Sequence, residues 1–122
     1  MPHTQLPHDH GQARELAKLQ TQLDREEDCR RTAELLKQLD DTTRVRLFWL
    51  LCHCEACVVN LSAMLGMSSP AVSHHLRGLK NSGLIVSRRE GKEVYYRAAD
   101  TAPSRLLHSV VEQVMEITCP RP

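Results

Sequence analysis

Cys52, Cys54 and Cys57 stand within six residues, in the run Cys52-His53-Cys54-Glu55-Ala56-Cys57. Three thiols at C-x-C-x-x-C can converge on one soft ion, because thiolates favour Zn(II), Cd(II), Pb(II), Cu(I) or As(III) over hard cations. Zn(II) takes four ligands near a tetrahedron, whereas trivalent arsenic is content with three thiolates. The remaining cysteines, Cys29 and Cys119, are candidate further ligands. For Cys29, burial as a small hydrophobe competes with that role. The cysteine count of five is odd and clustered, which points to metal or redox chemistry rather than a disulfide framework. Cys54-Glu55-Ala56-Cys57 is also a C-x-x-C, so sensing of oxidants or reactive sulfur stands beside metal binding as the alternative.

A second chemistry follows directly in the chain. Residues 61–84, LSAMLGMSSPAVSHHLRGLKNSGL, divide into two short helical patterns. Asn60 is the expected cap of the first, which runs through Leu61, Met64 and Leu65 to a left-handed stop at Gly66. Ser68 or Ser69 opens the next, with Pro70 in its first turn. Val72, Leu76 and Leu79 recur at i, i+4 and i+7 and mark its buried face. Ser69, Ser73, His74, Arg77 and Lys80 are left outside, and Gly83 ends the pattern. Two short helices around a tight glycine turn, the second polar and basic outside, form a helix-turn-helix. Ser69, Ser73, His74 and Arg77 are the residues expected at base edges or nearby phosphates, since Arg pairs bidentately with guanine and Ser is promiscuous. Lys80, Arg88, Arg89 and Lys92 are expected on phosphate, where they supply salt-sensitive affinity. A merely solvated charged face is the competing explanation. The adjacent pair His74-His75 does not suit one ion, because neighbouring helical residues point about 100° apart.

The elements that position these groups can be read outward. Residues 1–11 form a His-containing arm with Pro2, His3, Pro7, His8 and His10, expected to be flexible. Helical spacing runs from about Gln12 to Arg31 through Leu16, Leu19 and Leu23. Ala33, Leu35, Leu36 and Leu39 either continue that helix or start another. Asp40-Asp41-Thr42 caps a helix from Thr43 to about Leu51. Leu84-Ile85-Val86, a turn at Arg89-Glu90-Gly91-Lys92 and Val94-Tyr95-Tyr96 make a basic-tipped hairpin. The last helix, about Ala102 to Thr118, carries Leu107, Val110, Val111 and Val114. Leu106, Met115 and Ile117 widen its apolar stripe beyond the need of one small core, so it is a candidate dimer interface. Helix, helix, helix-turn-helix, basic hairpin, helix is the order of a mainly α winged helix-turn-helix, here one domain over residues 12–122.

Composition narrows the partners. A formal charge of +1 decides nothing, but its distribution does. Residues 58–97 hold six Lys/Arg against two Glu, while residues 11–41 hold six basic against eight acidic side chains. Positive charge therefore gathers where duplex DNA would lie. No apolar run approaches a membrane span, and the first residues lack the apolar core of a signal peptide. The expectation is a cytoplasmic protein with reduced thiols. No Gly-rich phosphate loop and no nucleophile with an evident base is present, so an enzyme is not expected.

Residues 32–98 resemble the ArsR/SmtB family of bacterial metal-sensing repressors. The likeness lies in LDDTTRVRLFWLL, in LGMSSPAVSHHLRGLKNSGLIVSRREGKEVYY, and in cysteines placed just before the helix-turn-helix. It implies a homodimer joined through its first and last helices, bound to an inverted-repeat operator in double-stranded DNA. It also implies release when an inducing ion such as Cd, Pb, Zn or As(III) binds. Cys57 falls at the first cysteine of the family's ELCVCDL-type box, and Val59 replaces the second. The family's carboxylate–histidine site on the last helix is matched at Asp100 and Glu116. Ala102 and Gln113 stand where it has histidines, so that Zn(II) site is not expected. His108, Glu112 and Glu116 share a helical face that reads as solvent-exposed.

Overall fold

The computed structural model describes residues 6–119, in two compact units divided between Leu35 and Leu36. Pro2 and His3 of the expected arm, and the last three residues of the expected 12–122 domain, lie outside the described residues.

The first unit is built on α1 (Ala13–Leu23) and most of α2 (Glu26–Lys37). Helical spacing does not run unbroken from Gln12 to Arg31. α1 stops at Leu23, where the Asp24 N–H bonds the Gln20 carbonyl and the Asp24 carboxylate accepts from the Gln20 amide. Glu26, Glu27 and Asp28 then crowd the first turn of α2, where the helix dipole favours acids. Leu16, Leu19 and Leu23 are all exposed. His8 and His10 stack on each other and face solvent.

The second unit holds the core. α3 (Thr42–His53) begins where the Asp41 carboxylate accepts from the Arg44 N–H at 3.1 Å. The two-residue strand β1 (Ala56–Cys57) leads into α4 (Val58–Leu65) and α5 (Ser69–Asn81). β2 (Ile85–Glu90), β3 (Glu93–Ala98) and α6 (Ala102–Thr118) complete it. The sheet is antiparallel in the order β1-β3-β2. Leu47, Phe48, Leu61, Val72, Leu76, Leu79, Leu84 and Ile85 are buried, as are Leu107 and Val111 of α6. Ser104 is the most deeply buried polar residue among those described, and its hydroxyl donates to the Leu84 carbonyl at 3.1 Å. That bond ties the start of α6 to the start of β2. Val110 and Val114, expected on the stripe of Leu107, instead lie exposed with Leu106 and Ile117. α6 thus carries two apolar stripes, and this unit fills only one.

Candidate functional site

The turn between α4 and α5 forms as glycine chemistry dictates. Gly66 sits at φ 65° and the Met67 N–H reaches back to the Ser62 carbonyl at 3.1 Å, a left-handed helix ending that a Cβ would penalise. Ser68 caps α5 by accepting from the Ala71 N–H, and Pro70 occupies the first turn. The Ser62 and Ser69 hydroxyls meet across the turn at 3.1 Å. Val72, Leu76 and Leu79 point inward, while Ser69, His74, Arg77 and Lys80 are exposed and Ser73 is half-buried. His75 turns back onto α3, where its Nδ1 accepts from Arg44 Nε at 3.3 Å. His74 faces out, so the two adjacent histidines serve different faces.

The hairpin carries two kinds of cation. Arg88 is held between Glu55 and Glu90, 2.6 Å from each, and lies over the Tyr95 ring. The hydrogen bond from Arg88 holds the Glu55 carboxyl below its usual range, and Glu55, then Glu90, raise the guanidinium's pKa. Arg89 and Lys92 flank the Gly91 turn, exposed and without a partner among the described residues. Lys80 donates to the Ser87 hydroxyl at 2.7 Å and links α5 to the hairpin. Arg77, Arg89 and Lys92 are therefore available to a polyanion. Arg88 must give up two carboxylates first.

The thiols bracket a joint. Cys52 lies in the last turn of α3, Cys54 is its C-cap, and Cys57 is the N-cap of α4. Asn60, expected as that cap, lies inside α4 instead. The backbone of Cys57 is extended, with no capping bond from its side chain, because β1 pairs with the hairpin at Ala56↔Tyr96 and Cys57↔Tyr95. Cys52 is half-buried, Cys54 exposed and Cys57 buried. The three sulfurs do not converge within 4.8 Å as a group. Cys119 is exposed beside the Thr118 hydroxyl, and Cys29 is exposed on α2. Burial and then the charge of Glu112 push the Cys52 thiol up to about 11. Little of it is therefore thiolate, the form that reacts, at pH 7. Cys52 is expected to alkylate with iodoacetamide at least about tenfold more slowly than Cys54 at pH 7. Its rate should climb with pH toward its pKa. Peptide mapping by mass spectrometry reads this, and equal rates would contradict the assignment.

One constellation is not evident from the sequence. His53 Nε2 and His108 Nε2 lie 3.0 and 3.1 Å from Glu112 Oε1 and 3.3 Å from each other. Trp49 Nε1 donates to the same carboxylate oxygen at 3.0 Å. The i, i+4 spacing of His108 and Glu112 is visible in the chain, but His53 comes from α3 and is added only by the packing of α3 on α6. Glu116 is exposed and outside this group.

A buried-face recognition helix, a glycine turn and a basic hairpin beside them define a winged helix-turn-helix, the fold of a DNA-binding regulator. The model for the bacterial regulatory proteins of the arsR family matches residues 41–87. A transcriptional repressor SmtB homolog from Synechocystis sp. is 37% identical over 90 residues, which span 74% of this chain and 68% of that protein. A cadmium resistance transcriptional regulatory protein, CadC homolog, from Staphylococcus aureus is 36% identical over 86 residues, 70% of this chain and 71% of that one. In structure, the homodimeric winged helix-turn-helix DNA-binding domain of a possible ArsR-family regulator from Mycobacterium bovis superposes with a TM-score of 0.64. That match has 27% identity and covers 96% of this chain and 94% of that one. The chain belongs to the ArsR/SmtB family of transcriptional regulators. Among the described residues no helix is long and apolar enough to cross a membrane.

Proposed function

We propose that the protein is a homodimeric, cytoplasmic repressor that releases its operator when a thiophilic metal or metalloid ion binds Cys52, Cys54 and Cys57. The observation that carries this is the position of the thiols. Cys54 ends α3 and Cys57 starts α4, with Glu55 and Ala56 alone between them. The same joint grips the hairpin through β1–β3 pairing and the Glu55–Arg88 ion pair. An ion that draws the sulfurs together pulls on both parts of the DNA-reading surface at once. Zn(II) binding in small thiolate sites releases about 10–16 kcal/mol, against about 1 kcal/mol net for each backbone hydrogen bond of β1. The ion can therefore reshape the joint. Release requires that it bind the low-affinity conformation better than the DNA-competent one. Cd, Pb, Zn and As(III) are the chemically suited inducers, and the name of the cadmium resistance regulator CadC homolog supports that class. Cys29 and Cys119 are the candidate supplementary ligands.

The second copy is supported by the unfilled stripe of α6, where Leu106, Val110, Val114 and Ile117 are exposed. Single large apolar side chains on a surface are ordinary, but a continuous stripe marks an interface. Two copies would present two α5 helices to major grooves about one helical turn, or a multiple, apart.

The test is a titration of reduced, metal-free protein on its upstream duplex, followed by anisotropy, with Zn, Cd, Pb, Cu(I) and arsenite. At least one ion is expected to weaken DNA binding by about 5–150-fold, the usual range of such coupling. Cys54→Ser and Cys57→Ser should each abolish that response while leaving the affinity of the metal-free protein intact. An unchanged response in all the serine variants would refute the site. Release by oxidant but by no ion would move the function to redox sensing.

A further inference from the structure

We infer that His53, His108 and Glu112 form a second, thiol-free binding site for a borderline divalent cation such as Zn(II), Co(II) or Ni(II). Ligand atoms placed about 2.0–2.1 Å from a tetrahedral ion stand about 3.3–3.4 Å from one another. The three atoms here are separated by 3.0, 3.1 and 3.3 Å, close to one face of that tetrahedron. An ion would need to widen the triangle only by tenths of an ångström. Two imidazoles and one carboxylate form the donor set that suits Zn(II), Co(II) and Ni(II) and not the oxygen-seeking Mg(II) or Ca(II).

Three further features favour a metal site over an incidental polar cluster. The carboxylate is oriented by Trp49, which donates at 3.0 Å to Glu112 Oε1, the oxygen that the two imidazoles also face, and hydrogen-bonded ligands of this kind are usual in a metal site. His53, His108 and Glu112 keep 45%, 32% and 45% of their side-chain surface exposed, so an ion can enter and a fourth, solvent position stays open. The rings are already fixed, with His53 and His108 edge-to-face at 5.0 Å and His53 tilted against Trp49 at 4.6 Å. Little ordering cost is left for the ion to overcome.

The placement gives the site a consequence. His53 is the last residue of α3, directly before Cys54, and the other two ligands lie on α6. An ion there clamps the end of α3 onto α6 and fixes the side from which the thiol joint would have to move. This consequence rests on the proposed role of the thiols; occupancy of the site does not. A borderline ion on nitrogen and oxygen, and a soft ion on sulfur, would act on the same joint, the first through His53, which stands between Cys52 and Cys54.

The experiment separates the two. The full-length Cys52→Ser/Cys54→Ser/Cys57→Ser variant is titrated with Co(II), whose visible absorption reports its ligands. Tetrahedral bands without sulfur charge-transfer absorption are expected, at one ion per chain, with Zn(II) displacing Co(II). His108→Ala and Glu112→Gln, both checked for folding by circular dichroism, should weaken binding by at least about 100-fold. Trp49→Phe should weaken it about 10–100-fold, the range seen when a ligand loses its outer hydrogen bond. Failure of Co(II) and Zn(II) to bind at millimolar concentration would overturn the inference. So would affinities unchanged by His108→Ala and Glu112→Gln, which would put the ion on the N-terminal histidines or another group. None of these readouts depends on DNA release, so loss of the thiol mechanism would leave this site standing, and the reverse.

Discussion

Leu76→Ala is expected to lower the unfolding free energy by about 3 kcal/mol, within the 2–5 kcal/mol that such core truncations cost. Leu76 is 1% exposed at the centre of α5. It lies between Val72 and Leu79 on the face that meets α3, α4 and β2. Removing its side chain leaves a cavity among rigid neighbours, and the loss exceeds the transfer energy of the deleted carbons because close-packed cores collapse only in part. A small domain has about 5–15 kcal/mol to lose, so the variant should remain folded at 25 °C with a clearly lower urea midpoint. With slopes of about 1–3 kcal/mol/M the midpoint falls by about 1–3 M at unchanged slope. Wild type and variant must be compared at one protein concentration, since the apparent stability of the proposed dimer would depend on it. A shift below about 0.5 kcal/mol would mean that the inner face of α5 is not packed as described.

The same helix shows what the sequence makes legible. Gly66, Ser68, Pro70 and the Val72–Leu76–Leu79 spacing each act through local backbone or a single helical face, and each appears in the structure where its chemistry requires. α6 has the expected bounds, Ala102 and Thr118, because Thr101, Pro103 and the apolar period agree. Elements whose cause lies elsewhere in the chain are hidden. β1 is two residues long and exists because Tyr95 and Tyr96 of β3 offer it an edge. No two-residue run shows alternation. For the same reason Asn60 resembles a cap without being one. Its residue type suits that role, but pairing with β3 extends the backbone at Cys57 and starts α4 three residues earlier. The stop after Leu23 has neither Gly nor Pro to announce it, only the acid run of the following first turn.

The candidate site divides along the same line. The thiols are legible as chemistry, but their spacing along the chain is a poor guide to their spacing in space. C-x-C-x-x-C crosses from a helix through an extended cap into a strand, so its three side chains do not share one face. The charges of the hairpin are all visible, yet Arg88 differs from Arg89 because Glu55, thirty-three residues away, is brought beside it. His53 is hidden as a ligand for a similar reason. Its partners are 55 and 59 residues distant in the chain, and only the packing of α3 against α6 joins them.

Arg77→Ala should weaken binding to the specific operator by about 30-fold or more while leaving the unfolding free energy within about 0.5 kcal/mol of wild type. Arg77 is one residue from Leu76 but points away from the core side of α5, exposed and without a partner among the described residues. Its loss therefore costs the fold little. In the proposed complex it pairs with a guanine edge, worth about 1–3 kcal/mol of discrimination. A symmetric dimer loses it twice, giving about 2–6 kcal/mol, or roughly 30-fold to 20,000-fold at 1.4 kcal/mol per decade. Lys92→Ala should behave differently. Taking one phosphate-neutralising ammonium from each subunit lowers affinity for specific and unrelated duplexes alike and flattens the salt dependence by about two ions released per dimer. Arg88→Ala should fall below both in its direct effect on DNA, because that guanidinium is already satisfied by Glu55 and Glu90. Anisotropy against operator and scrambled duplexes at several salt concentrations resolves the three. If Arg77→Ala weakened both duplexes equally, its partner would be phosphate, and base reading would pass to Ser73 and His74.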